Sequence, residues 1–322
     1  MKILLVYFSA TGNTKFYSSL LAAKLKKTGH ECELVDIEKS FNAPSLWRER
    51  PVIQPYMLEA DRRVKMFAPA GCSGGPIQQD NSASLISFAQ KASQFDLIGF
   101  GSPVYFFRAA PVMESFIKLM PSLRGMTAFT YGTHMEGPIA FAENFKSVLS
   151  EKVKVIGHVD DYIMHTEMVP AIAEFMAKQP YLERYFRYRM PTINYKMEKF
   201  IKKIGLGCMP GSLSPFETPP ADAISKFIGK AVEQGLYLLF PYAIGNRTIK
   251  SRCVKCMQCV KNCPIGLIKE APDGYPLRDS HCMYCLRCIN SCPTNAIIFT
   301  GYYKNTARFR GFSKLTQDGF GA

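Results

Sequence analysis

Eight of the eleven cysteines in this 322-residue chain fall into two copies of one motif. The first copy is Cys253-x-x-Cys256-x-x-Cys259-x-x-x-Cys263-Pro264, and the second is Cys282-x-x-Cys285-x-x-Cys288-x-x-x-Cys292-Pro293. A cubane iron–sulfur cluster presents irons that each need one thiolate. Two-residue gaps let three successive cysteines wrap such a cluster in a tight loop, with backbone N–H groups turned toward the sulfurs. The proline after the fourth cysteine starts a new direction of chain. Other cysteine chemistry fits less well. A disulfide framework needs an oxidising compartment, and the apolar start from Met1 to Phe8 is too short for a signal peptide. Zinc sites use paired knuckles set far apart, not two triple-cysteine runs each closed by Cys-Pro. The spacing points to two [4Fe–4S] clusters and to one-electron chemistry.

A second constellation lies at the other end of the chain. Ser9-Ala10-Thr11-Gly12-Asn13-Thr14-Lys15 is a polar turn between an apolar run, Lys2 to Phe8, and a helical pattern from Phe16 to Leu25 that ends near Gly29. A strand, a hydroxyl-rich turn and a helix N-terminus make an anion site, because free N–H groups and the helix dipole face the ligand. Ser9, Thr11, Asn13 and Thr14 add side-chain donors. The Walker spacing is absent, so the loop suits a terminal phosphate better than a magnesium-bound triphosphate. The same residues would also serve a plain helix cap.

Both constellations carry resemblances. The cysteine runs resemble those of bacterial ferredoxins with two [4Fe–4S] clusters, in which the fourth cysteine of each run ligates the other cluster. That resemblance implies one ligand set of Cys253, Cys256, Cys259 and Cys292 and another of Cys282, Cys285, Cys288 and Cys263. The polar turn resembles the phosphate loop of flavodoxins (T/S-x-T-G-x-T), here Ser9-Ala10-Thr11-Gly12-Asn13-Thr14. Further strands are expected at Glu31 to Ile37, Asp96 to Gly101, Arg124 to Thr130 and Lys152 to His158, with a helix near Ala83 to Phe95. The implied fold is α/β: a doubly wound, flavodoxin-like parallel sheet of order 2-1-3-4-5, with FMN at its carboxyl edge. By the same resemblance, Ser102-Pro103-Val104-Tyr105 and Thr130-Tyr131-Gly132-Thr133 flank the flavin ring. Tyr105 and Tyr131 are then the stacking candidates, each as readily a core or rim aromatic.

The whole chain resembles the flavodoxin–ferredoxin fusion proteins of anaerobes. The expected organisation is a flavodoxin-like FMN-binding domain over 1–160 with an insertion at 39–81, and a helical segment and linker over 161–245. A small α+β two-cluster ferredoxin-like domain over 246–301 and a basic tail over 302–322 follow. In the middle, Ala171 to Lys178, Tyr181 to Arg189 and Tyr195 to Ile204 read as helices, and Gly205 to Pro220 as a linker. Cys32 and Cys208 read as structural and Cys72 as a lone cysteine in the insertion. His134, His158 and His165 show no metal spacing, and His281 reads as a surface residue.

The formal charge is +14, with an excess of +4 over residues 1–160, +4 over 161–250 and +6 over 251–322. Two clusters and a flavin phosphate would lower this to about +8. Spread basic charge of this kind fits an acidic redox partner, or a low-potential electron donor or acceptor, rather than nucleic acid. The longest apolar run, Gly235 to Gly245, is broken by Pro241 and is too short to span a bilayer. Reduced cysteines suggest the cytoplasm. The expected function is electron transfer between the two clusters and FMN. The alternatives are an FMN-dependent reductase of a small-molecule or protein-bound acceptor fed by its ferredoxin domain, and a partner-binding redox module with a degenerate flavin site.

Overall fold

The computed structural model describes residues 1–41, 81–105, 108–134, 141–163, 179–207, 246–278, 283 and 285–299. Residues 42–80 of the expected insertion, with Trp47 and Cys72, lie outside them, as do His165, Cys208, His281, Cys282 and the tail.

The N-terminal part is built on β1 (Lys2–Tyr7), α1 (Asn13–Lys27), β2 (Glu31–Asp36) and the short α2 (Ile37–Ser40). It continues through α3 (Ser82–Ala92), β3 (Leu97–Tyr105), β4 (Arg108–Ala109) and α4 (Pro111–Leu119). β5 (Thr127–His134), α5 (Phe141–Ser150), β6 (Lys154–Tyr162) and α6 (Gln179–Gly207) complete it. The sheet runs β2-β1-β3-β5-β6, with the two-residue β4 paired antiparallel to the end of β3. The five long strands are all parallel and stand in the expected order 2-1-3-4-5.

Successive strand residues point to opposite faces, so each strand feeds two cores. Leu4, Val6, Phe8, Ile98, Phe100 and Ala128 pack under α3, α4 and α5. Ile3, Leu5, Tyr7, Leu97, Phe129 and Tyr131 pack under α1 and α6. The strands are therefore buried on both faces and read as continuous apolar runs.

Three expectations change. The strands are longer than read: β3, β5 and β6 continue to Tyr105, His134 and Tyr162. Ser102–Tyr105 and Thr130–Thr133 are thus strand ends, not loops. Polar residues stop an apolar run in sequence, but the ladder carries on, with Ser102 opposite Gly132 and Pro103 opposite Thr133. The helical runs Tyr181 to Arg189 and Tyr195 to Ile204 are one helix with Pro191 inside it. The helix tolerates the lost N–H because Met190, Ile193, Met197, Phe200, Ile201 and Ile204 bury against the sheet. For the same reason α6 is the last helix of the α/β layer and not part of a separate middle segment, and the first residues of the expected linker, Gly205 to Gly207, end it.

The C-terminal part has two small antiparallel pairs. β7 (Asn246–Thr248) pairs with β10 (Ile297–Phe299), and β8 (Ile268–Glu270) with β9 (Pro276–Arg278). One helical turn follows the second cysteine of each run: α7 (Gln258–Lys261) and α8 (Arg287–Ser291). Among the described residues no helix is long and apolar enough to cross a membrane.

Gly101 shows how closely the sheet is packed. A Cβ added there would lie 2.2 Å from the Tyr131 ring. That ring is fully buried and held between Tyr17 and Phe129, so it cannot yield. Gly101→Ala is expected to cost about 1–3 kcal/mol, lowering the urea midpoint with an unchanged m-value.

Candidate functional site

The described parts of the two cysteine runs fold alike. Met257 (φ 53°) and Leu286 (φ 62°) each follow the second cysteine of their run and cap α7 and α8. Gly266 (φ 62°) and Asn295 (φ 53°) each stand three residues after the fourth cysteine. Left-handed backbone is unfavourable for Met and Leu, and persists where a site demands it. Its consequence is visible at the next residue. The Leu267 N–H donates to Cys263 Sγ (3.3 Å), and the Ala296 N–H donates to Cys292 Sγ (3.1 Å).

The cysteines surround two cavities. One is lined by Cys253, Cys256, Cys259 and Cys292. The other is lined by Cys263, Cys285 and Cys288. The fourth cysteine of each run thus faces the cavity of the other run. Among the described residues no group of His, Cys, Asp and Glu closes on a single metal ion. Thiols spaced around a cavity suit a multi-atom cluster instead, and all of the described cysteines are free. Burial pushes the Cys259 thiol up. Burial acts the same way on Cys292, but hydrogen bonds from the Ile297, Ala296 and Thr294 N–H groups outweigh it and hold that thiol below its ordinary value. The Arg278 guanidinium donates to Cys288 Sγ (3.1 Å).

The cavities differ in their surroundings. The first, outer one has Cys256 exposed at its rim and Val254 62% exposed beside it. The second, inner one faces the sheet domain. Ile265, Leu267, Met283 and Cys285 belong to the same core as Ala109 and Ala110, and Val104, Tyr105 and Cys263 pack against it.

At the carboxyl edge of β1, the polar turn leads into α1 through Gly12 (φ 100°), a conformation that suits glycine. Ser9 Oγ accepts from the Lys15 N–H (3.1 Å). Asn13 and Thr14 are buried. Thr14 Oγ1 bonds Thr133 Oγ1 (2.9 Å), tying the turn to the end of β5. Ser18 Oγ donates to the Thr14 carbonyl (2.7 Å) and bonds the Tyr131 hydroxyl (2.9 Å). The turn is therefore fixed from below, with a helix N-terminus opening onto it. Asn13 Oδ1 is a buried acceptor without a partner, a demand that a donor such as water would meet and a phosphate oxygen would not. A phosphate-bearing cofactor such as FMN fits this donor set.

Of the expected stacking residues, Tyr131 is in the wrong place. Its ring lies in the core under α1, stacked on Tyr17 (6.1 Å). Burial drives its hydroxyl pKa far up. Tyr105 is half-buried at the end of β3 and packs against the core that holds Ile265 and Leu267. Ser102 Oγ accepts from the Ala110 N–H (2.8 Å) and anchors the β3–β4 hairpin, and Arg108 grips the buried Glu114 with two bonds (2.9 and 3.1 Å).

Two features escaped the sequence reading. His134 and His158 both meet Asp160, at 3.6 and 3.0 Å, and His158 also bonds Thr130 (2.6 Å). Burial would raise the Asp160 carboxyl, but the two imidazoles hold it well below the usual carboxylate range. The period-two spacing of His158 and Asp160 on one strand was the available signal. The second is Arg287, which leaves the iron–sulfur unit and reaches the polar turn. Its guanidinium donates to the carbonyls of Ser9 (2.8 Å) and Ala10 and pairs with Glu38. Glu38 is set by Asp36, which caps α2 by accepting the Glu38 N–H (3.2 Å).

Among known families, the NADPH-dependent FMN reductases match residues 1–160, and the 4Fe-4S dicluster domain matches residues 252–296. No curated protein matches the chain. A flavoprotein in complex with FMN from Lactobacillus acidophilus NCFM is 21% identical over 50% of this chain and 93% of its own, with a TM-score of 0.30. An azoreductase from Bacillus anthracis str. Sterne is 12% identical over 63% and 98%, with a TM-score of 0.35. The rubredoxin oxygen:oxidoreductase of the anaerobe Desulfovibrio gigas is 11% identical over 63% and 36%, with a TM-score of 0.34. These likenesses are slight. The topology and the two family matches define the class: a flavin and iron–sulfur redox protein. In it an FMN-reductase-like, flavodoxin-type domain is joined to a 4Fe-4S dicluster domain.

The crossed cavities make a specific prediction. Cys263→Ser should remove the cluster seated by the second run, and Cys292→Ser the one seated by the first. In each case iron should fall from about eight to about four per chain. Iron analysis with electron paramagnetic resonance of the reduced protein distinguishes which cluster is lost.

Proposed function

We propose that the protein is an electron-transfer flavo-iron–sulfur protein, in which single electrons pass between an external partner, the outer cluster, the inner cluster and FMN. The observation that carries this reading is the position of the inner cavity. Its wall residues Ile265, Leu267 and Met283 share one apolar core with the end of β3, where Val104 and Tyr105 lie. The iron–sulfur clusters supply one-electron chemistry, and FMN exchanges electrons singly or in pairs.

The chain's part is to hold these groups close and to shield one of them. Cys253, Cys256, Cys259 and Cys292 would hold the outer cluster, and Cys263, Cys282, Cys285 and Cys288 the inner one. Ser9 to Thr14 would take the FMN phosphate, with Ser102 to Tyr105, Thr130, Gly132 and Thr133 at the ring edge. A fused arrangement replaces diffusion between two proteins by a fixed effective concentration. The exposed Lys255 and Lys261 lie in and beside the first cysteine run, where Cys256 is also exposed, which fits an acidic redox protein as the partner. Free thiols suit a reducing compartment such as the cytoplasm.

Rapid-mixing reduction by an acidic one-electron donor protein tests this. Cluster bleaching should precede flavin bleaching. Cys263→Ser should slow flavin reduction by about tenfold or more while FMN stays bound. Raising the salt should slow the first phase only, since docking is screened and the internal hand-off is not. Flavin reduction at the wild-type rate without the inner cluster would exclude the relay.

A further inference from the structure

We infer that Arg287, a residue of the second cysteine run, sets the backbone of the FMN phosphate loop and so couples phosphate recognition to the iron–sulfur unit. This rests on the reading of Ser9–Thr14 as the FMN phosphate site.

Arg287 lies between Cys285 and Cys288, at the start of α8. Its side chain turns away from the inner cavity and into the other domain. Nε donates to the Ala10 carbonyl, one terminal nitrogen to the Ser9 carbonyl (2.8 Å), and both terminal nitrogens to the Glu38 carboxylate. A further bond reaches the Asn262 carbonyl (3.4 Å) of the first cysteine run. The guanidinium is largely buried, with 18% of the side chain exposed.

Two consecutive carbonyls on one guanidinium constrain the peptides that carry them. A trans peptide holds its C=O and the next N–H in opposite directions. With the Ser9 and Ala10 carbonyls drawn to Arg287, the N–H groups of Ala10 and Thr11 face away from it. They are the first donors of the turn that continues into Gly12 and the N-terminus of α1. Such a row of N–H groups is what binds a phosphate.

The charge is handled separately. Glu38 pairs with Arg287, so the guanidinium acts on the turn through directed hydrogen bonds more than through net charge. Lysine keeps the charge but lacks the planar fork, and cannot span both carbonyls and the carboxylate. Coupling of this kind is reciprocal: what Arg287 lends to the phosphate site, bound FMN returns to the seat of α8.

The test compares FMN with riboflavin, which lacks the phosphate, by titration of flavin fluorescence against Arg287→Lys and Glu38→Gln. Absorbance and iron content establish that both clusters are present. Both variants are expected to weaken FMN by about tenfold and riboflavin by less than about twofold. Glu38 is remote in sequence from the cysteine runs, so its variant decides the matter if Arg287→Lys loses the clusters. An FMN affinity unchanged in Glu38→Gln, or FMN and riboflavin affinities falling together, would overturn the inference. A wild-type protein that binds both flavins equally would instead overturn the reading of the turn as a phosphate site, and the inference with it.

Discussion

The contact between the iron–sulfur unit and the carboxyl edge of the sheet has two parts, one polar and one apolar. Arg287 reaches across to Glu38 and to the carbonyls of Ser9 and Ala10. Ile265, Leu267 and Met283 bury in the same core as Val112 and Phe116 from α4. Neither part would serve alone. An apolar patch gives adhesion without register, whereas a bidentate ion pair with two further bonds fixes orientation. A partly buried pair of this kind is costly to break, because the remaining charge is left without its partner.

The small unit needs that contact. Its own core is a handful of residues, chiefly Ile268, Leu286, Ile289, Ala296 and Ile297 with three cysteines. A segment of this size cannot bury enough apolar surface to fold firmly by itself. Bound clusters would supply part of the missing stability, since binding energy in such sites is folding energy. The sheet domain supplies another part. The left-handed Met257 and Leu286 add a conformational cost that these contacts must offset. Stability and the proposed relay thus draw on one joint: the contact that holds the inner cavity in place also brings it to the end of β3.

Much of this was legible in the sequence, for physical reasons. Cysteine spacing is set by cluster geometry, which is why the motif is legible; the crossed sets were implied by the resemblance to two-cluster ferredoxins, and the described cysteines line the two cavities in the same crossed way, with Cys282 outside the described residues. The positions of the long strands followed from runs such as Lys2 to Phe8 and Asp96 to Gly101, apolar because both faces are covered, and their order from the flavodoxin resemblance. Strand ends were not legible. Ser102 and Thr130 look like loop residues, yet the ladder passes through them. Tyr131 looked like a ring-facing residue because its side of the strand depends on where the strand stops. Pro191 hid the continuity of α6, whose burial outweighs one lost hydrogen bond. Arg287 and Glu38, 249 residues apart, carry no local sign of their pairing. An arginine between two cluster cysteines reads as surface charge until the other domain is placed beside it.

The central claim is that the inner cluster, and not the outer one, adjoins the flavin. A crystal structure of the protein with its cofactors loaded under anaerobic conditions tests this most directly. The account predicts density for a cluster on Cys263, Cys282, Cys285 and Cys288 nearer the flavin ring than the cluster on Cys253, Cys256, Cys259 and Cys292. It also predicts the flavin phosphate on the turn from Ser9 to Thr14. A flavin ring nearer the outer cluster, or a phosphate seated away from that turn, would contradict it.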